Sequence, residues 1–390
     1  MRIPGFTSTG SKRPDALYGA GAPRGMPVKL ARASGAYVWD AEGRRYLDFI
    51  MGLGAVALGY GRPEVADAAK AAIDAGVVGA LAPEAEELLA EELADAIPML
   101  ERCRFLKTGA EAGAAAVRLA RAVTGRDLVL RCGYHGWLDW AQAPGSPGVP
   151  AAVSALAEEF PFNEADAGRA LIRSRGDRLA AVVVEPVIEA APDLEWLTML
   201  REETRRVGAV LVFDEIKTAF RIALGGAAER YGVVPDLMVL GKAIANGFPL
   251  AVVGGDRAIM ERARKVWISS TLATEMVALS AARATVGVML RESVPVHLDR
   301  MGRLWWQGLS LLAARYPRLI GGVGGIPQMC FLRFPVEGSG VKVVRAAARR
   351  GLLFKRSAYN YVSLAHTPEM IEQALGVLDD ACHETAGRAG

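Results

Sequence analysis

Short apolar runs recur along the chain, and most of them lack the in–out alternation expected of a sheet with one wet face. "RLAAVVVEP", "AVLVFDE", "PDLMVLGK" and "PLAVVGG" are nearly continuous in Val, Leu and Ala, which suits strands covered on both sides. Between the first two, "LEWLTMLREETRRVG" has helical spacing. Upstream, "CRFLKTG" reads as a strand ending in glycine, "AEAGAAAVRLARAVTG" as a helix stopped by Gly125, and "DLVLRCG" as another strand. "EAEELLAEELADAI", from Glu84, is a helix with an acidic first turn. Strands interleaved with helices predict an α/β domain with a mostly parallel central sheet flanked by helices.

The ends of the chain read differently. Roughly the first thirty residues are rich in Gly, Pro and Arg and look irregular, and "AYVWDAEGRRYLDF" is a hairpin turning at Asp40 to Gly43. After about residue 285 come a helix, a loop "IGGVGGIP", a strand "QMCFLRF", another helix and a last strand near "NYVSLAH". This predicts a smaller α+β domain. The expected division is 1–60, contributing to the small domain and the site entrance, then 61–285 as the large domain and 286–390 as the small C-terminal one.

Composition mainly excludes. Over 390 residues a formal net charge of +3, with arginines dispersed, argues against nucleic acid as a partner. The four cysteines form no CxxC pair and the four histidines are scattered, so neither a metal site nor a disulfide framework is expected. No apolar run is long enough to span a bilayer, and the N-terminus has no apolar leader core, which makes the cytoplasm the default compartment. No G-x-G-x-x-G lies between a strand and a helix, against a nucleotide-binding module.

Three strand ends carry candidate chemistry, at the sheet edge where open α/β sheets bind ligands. In "LKTGAEAG" a strand gives way to Thr108-Gly109 and then a helix, whose free N–H groups can hold a phosphate. In "VLVFDEI", Asp214 closes an apolar run and needs a cationic or hydrogen-bonding partner. In "PDLMVLGK", Lys242 follows a core strand at once. Singly these read as a plain strand–helix turn, a turn cap and a lysine reaching out to water. Together they match the needs of pyridoxal 5′-phosphate (PLP): a phosphate cradle, an acid for the ring nitrogen and an amine to form a Schiff base with the aldehyde. Lysine suits the last task because its pKa falls readily when water is withdrawn.

"FLKTGAEAGAAAVRLARAVTGR", "YHGWLD", "VVVEP", "VFDEIKTAFR", "PDLMVLGKAIANGFPLAVVGG" and "STLATEMVAL", in this order, make the chain resemble the class III aminotransferases of PLP fold type I, near the glutamate-1-semialdehyde 2,1-aminomutase branch. The resemblance runs from "GAYVWDAEGRRYLDF" to "SLAHTPE". It implies Lys242 as the Schiff-base lysine, Asp214 against the pyridine nitrogen and Ile216 on one ring face. Tyr134 would lie over the other face, with His135 beside it or bracing the loop. It further implies Thr108, Gly109 and Ala110 around the phosphate and Glu185 at the cofactor's edge. Thr271 would reach the phosphate of a neighbouring subunit, making the active unit a homodimer; its alternative is to cap the next helix.

The departures bear on substrate. Ala110 replaces a hydroxyl residue of the usual phosphate motif, and Lys217 stands where many relatives have glutamine near the phenolic oxygen. The segment after "YHG" is short for the aminomutase lid, and the arginine that clamps a substrate carboxylate has no match, Tyr18 falling near its place. Arg24, Lys355 and Arg356 are other cations able to supply such a charge. The expectation is an aminotransferase passing nitrogen from an amino donor to an aldehyde or ketone acceptor of specialised metabolism. The alternatives are an aminomutase, a decarboxylase, or a non-catalytic binding protein of the same fold.

Overall fold

The computed structural model describes residues 2–21 and 23–387. They fall into two units, one spanning Pro63–Pro295 and the other joining the residues up to Arg62 with those from Val296 on.

The first unit is built on a seven-stranded sheet. Its order is Arg102–Leu106, Ala251–Gly255, Leu237–Leu240, Val210–Asp214, Leu179–Val184, Leu128–Cys132 and Ala157–Glu159. Ala251–Gly255 runs antiparallel to both of its neighbours, and every other pairing is parallel. The strands seen as continuous apolar runs are buried along their full length, which explains the missing alternation. Being antiparallel to the same neighbour, the Arg102–Leu106 and Leu237–Leu240 strands point the same way as Val210–Asp214, so the three candidate strand ends share one sheet edge.

Helix Gly109–Thr124 lies against this sheet. Ala112, Ala115, Ala116, Leu119 and Ala120 are buried with Ala181, Val183, Val212, Val239 and Val253 of the strands. Small side chains let the helix approach closely. It ends at Gly125, at φ 68°, a left-handed geometry that glycine adopts at low cost. Helix Leu194–Val207 buries Trp196, Leu197, Met199 and Leu200, and its buried Glu203 pairs with Arg173 at 2.6 Å.

In the second unit, Leu30–Ser34, Tyr37–Asp40 and Arg45–Asp48 form an antiparallel sheet joined in parallel by Leu352–Leu353. A separate three-stranded sheet comprises Gly322–Ile326, Met329–Arg333 and Asn360–Tyr361. Here one expectation fails: "IGGVGGIP" is a strand, not a loop. Gly322–Ile326 pairs antiparallel with Met329–Arg333 across a turn at Pro327 and Gln328. Glycine carries no hydrophobic signal, yet a Cβ on Gly324 would sit 2.4 Å from Phe331 Cζ, so the bare backbone makes room for that ring. Among the described residues no helix is long and apolar enough to cross a membrane.

Candidate active site

Helix Gly109–Thr124 opens with a capping box. Thr108 Oγ1 accepts from Glu111 N at 3.2 Å and Glu111 Oε2 accepts from Thr108 N at 2.8 Å. Ala112 N bonds Thr108 O at 3.1 Å, which leaves Gly109 and Ala110 as the first-turn N–H groups without an intrahelical partner. The Thr108 hydroxyl is engaged inside the box, donating to Glu111 Oε2 at 3.0 Å, so it does not make good the hydroxyl missing at Ala110. A Cβ on Gly109 would fall 2.3 Å from Ile216 Cδ1 and one on Gly241 2.9 Å from the same atom. Ile216 therefore packs against both the cradle and the turn that delivers Lys242.

Lys242 begins a single 3-10 turn at the end of the Leu237–Leu240 strand, with φ 47°. A left-handed non-glycine residue stores strain, and such residues cluster at functional sites. Its amine has no hydrogen-bonding or ion-pair partner among the described residues. The residue keeps some accessible surface, but withdrawal of water around the amine, countered by Glu185 and Asp214 and reinforced by Lys217 and Arg221, lowers its pKa from 10.5 to about 8.

Asp214 is buried at the end of its strand, and both of its oxygens are engaged. Oδ1 accepts from Ile216 N at 3.2 Å, so it does cap the next turn. Oδ2 lies 2.7 Å from His135 Nδ1, where an imidazole N–H donates to the carboxylate. His135 is fully enclosed and stacks on Trp140, ring centroids 5.9 Å apart. It braces the acid, and Trp140 is a member of the site that the sequence reading missed.

Glu185 extends the edge beyond Asp214. Its Oε2 accepts from Tyr134 N at 2.9 Å and its Oε1 pairs with Lys217 Nζ at 2.9 Å. The side chain of Lys217 is only 10% exposed, so it points inward rather than to solvent. Gly133, at φ 105°, admits this carboxylate: a Cβ there would lie 2.6 Å from Glu185 Oε2. The following turn is held by Glu215, which accepts from Ala227 N and Ala228 N at 2.8 Å each and from the Thr218 hydroxyl. Burial pushes the Glu215 pKa up to about 7. Tyr134 is 71% exposed, its ring turned outward.

Thr271 is exposed and starts the short turn Thr271–Thr274. It does not cap the long helix Met276–Arg291; Glu275 does, accepting from Val277 N and Ala278 N. Glu275 also binds Lys107, the residue before Thr108, at 2.7 Å. This link between the cradle and the Thr271 turn joins residues far apart in the chain and has no sequence signature.

Of the cations considered as carboxylate clamps, Lys355 and Arg356 have partners in the other unit. Lys355 Nζ donates to Ser11 O at 3.4 Å and Arg356 pairs with Glu337 at 3.1 Å. Tyr18 is buried and its hydroxyl donates to Pro27 O at 2.8 Å.

The residues around Lys242 therefore offer unpaired N–H groups on a helix start, a braced buried carboxylate and an unpartnered amine of lowered pKa on one edge. That set fits a phosphorylated pyridine bearing an aldehyde. The family model described as "Aminotransferase class-III" matches residues 18–381. The glutamate-1-semialdehyde 2,1-aminomutase of Pyrobaculum calidifontis is 35% identical over 398 residues, covering 93% of this chain and 90% of that protein. Among solved structures, the FumI protein of Sphingopyxis sp. MTA144, in its PLP internal aldimine form, superposes with a TM-score of 0.87 at 27% identity, covering 93% and 90% of the two chains. An omega-transaminase from Sphaerobacter thermophilus gives 0.86 at 26% identity, covering 99% and 95%.

Proposed function

The chain belongs to the class III aminotransferases, and from that premise we propose that it carries an amino group from an amino donor to an aldehyde or ketone acceptor, with pyridoxal 5′-phosphate as cofactor. The observation that carries this reading is the unpartnered Lys242 amine, its pKa lowered to about 8, on the edge it shares with Asp214 and the Gly109 cradle.

When bound, the cofactor provides a covalent attachment for nitrogen and a ring that accepts the electron pair left behind by a departing proton. The protein does the rest. The N–H groups of Gly109 and Ala110 hold the phosphate at the positive end of their helix. Asp214, oriented by His135, keeps a proton on the ring nitrogen. Ile216 would pack on one face of the ring; Tyr134, whose ring is turned outward in this chain, would cover the other only by swinging inward. Lys242 Nζ, as a free base, would remove the proton from the donor carbon that bears nitrogen and deliver it to the carbon on the far side of that nitrogen; the acceptor half would run the same transfer in reverse. We place Thr271 in the phosphate site of a second copy, so the working unit is a homodimer. Exposed Leu272 beside Thr271, and Trp267 at 83% exposure, support a covered surface there.

For the acceptor, the missing clamp arginine favours a carbonyl without an adjacent carboxylate, of the sugar, cyclitol or modified amino-acid type made in specialised metabolism. The similarity to aminomutases favours a second reading, in which nitrogen returns to the adjacent carbon of the same molecule. The short segment after Gly136 weighs against it, since a diamino intermediate must be retained by a lid.

A panel of amino donors offered to the PLP-loaded protein separates these readings. The expected result is loss of the visible band with a matching amount of the donor's keto product, and its return on adding an aldehyde acceptor. Isomerisation of a single substrate with no keto product would establish the aminomutase, and a protein that takes up no PLP would end both readings.

A further inference from the structure

The order of strands fixes what flanks Lys242. On one side of its strand lies Ala251–Gly255 and then Arg102–Leu106, which leads into the cradle. On the other side lies Val210–Asp214 and then Leu179–Val184, which leads into Glu185. Lys217 joins that second side, held by Glu185 at 2.9 Å.

The ion pair is poorly explained as a support for the fold. Burying both charges withdraws their water, and such pairs are often no more stabilising than apolar side chains of the same size. Nor is the lysine needed to satisfy Glu185 alone, because Tyr134 N already donates to that carboxylate. The pair does bear on Lys242: after desolvation, the groups acting on that amine are Glu185, Lys217, Asp214 and Arg221.

Cofactor chemistry supplies the other half of the argument, which rests on the reading of the site as a PLP site. The aldehyde carbon that Lys242 meets has two substituted ring neighbours. One carries the phosphate arm and the other the phenolic oxygen. The cradle takes the first, so the opposite flank receives the second. We propose that Lys217, locked in place by Glu185, is the cation that faces the cofactor's phenolic oxygen and holds it in its ionised form. Glu185 then acts as the positioning residue, and the pair replaces a neutral hydrogen-bond donor by a full charge.

A positive charge beside that oxygen lowers the affinity of the bound chromophore for its proton. The pH midpoint of the visible band of the PLP-loaded protein measures this, independently of turnover. Lys217→Gln retains a donor for Glu185 but removes the charge; its midpoint is expected to rise by about one pH unit, a tenfold gain in proton affinity. Glu185→Gln leaves the lysine without its counter-charge and keeps an acceptor for Tyr134 N; its midpoint is expected to fall. Lys217→Arg preserves the charge and should titrate close to the unsubstituted protein. A midpoint that stays put in both Lys217→Gln and Glu185→Gln, or moves opposite to these signs, overturns the proposal. Borohydride reduction keeps this separate from the larger reading: a label on Lys242 with an unmoved midpoint sinks only the role of Lys217, whereas no label on Lys242 sinks the PLP site itself.

Discussion

Lys242→Ala should reduce turnover by about 10³-fold or more and leave no borohydride-trapped cofactor on the protein. The size follows from two losses at one position, the covalent anchor and the base that moves the proton. Arg221 and Lys217 do not replace it: the first is fully buried and the second is paired with Glu185. The fold should survive, because the Lys242 amine holds no partner and alanine relieves the cost of withdrawing water from a charge. Alanine at φ 47° stays strained, so the gain in stability is small. The unsubstituted protein carries its own control in pH. With the pKa lowered to about 8, the amine is protonated below that value and free above it, so PLP uptake by the cofactor-free protein should quicken about tenfold per unit below pH 8 and level off above. Between about 8 and 10.5 the unfolded chain binds more protons at this lysine than the folded one, so this group makes stability rise with pH across that window. Full turnover by Lys242→Ala, or PLP uptake that is flat from pH 6 to 8, would remove the assigned base.

Asp214→Asn should lower the rate of the donor half-reaction by about 10²- to 10⁴-fold while PLP still attaches. Removing one member of a buried charged pair costs about 3–5 kcal/mol, and each 1.36 kcal/mol in the barrier is a factor of ten. The amide keeps an acceptor for Ile216 N but no longer attracts the ring proton or the imidazole N–H of His135. His135→Phe, which spares the acid and the stacking on Trp140, should cost nearer tenfold. Stopped-flow measurement of visible-band decay with a saturating donor gives these rates directly. A near-normal rate in Asp214→Asn would mean that the ring nitrogen needs no acid here.

The central strands of the sheet were legible because they are wet on neither face and so appear as apolar runs rich in Val and Leu. The three candidate positions stood out for a related reason: Asp214 closes such a run, Lys242 follows one after a single glycine, and Gly109 follows the short turn after Arg102–Leu106. Other features depend on contacts across the chain and stay hidden in a linear reading. Glu185 and Lys217 were each noted without their pairing, and the Lys107–Glu275 link was not visible at all. His135 was ambiguous until Trp140 and Asp214 enclosed it. The Gly322–Ile326 strand eluded pattern reading because its pairing depends on the absence of side chains.

The reversed Ala251–Gly255 strand has a consequence for biosynthesis. Among the described residues Arg102–Leu106 is hydrogen-bonded to no other strand, so it joins the sheet only after the ribosome has extended the chain beyond Gly255. Closing so long a loop is an entropic burden settled late in assembly. Vitamin capture should thus mark completion rather than initiation of folding. Pulsed hydrogen exchange during refolding would test this by protecting Val182 and Val212 amides before those of Phe105; simultaneous protection would contradict it.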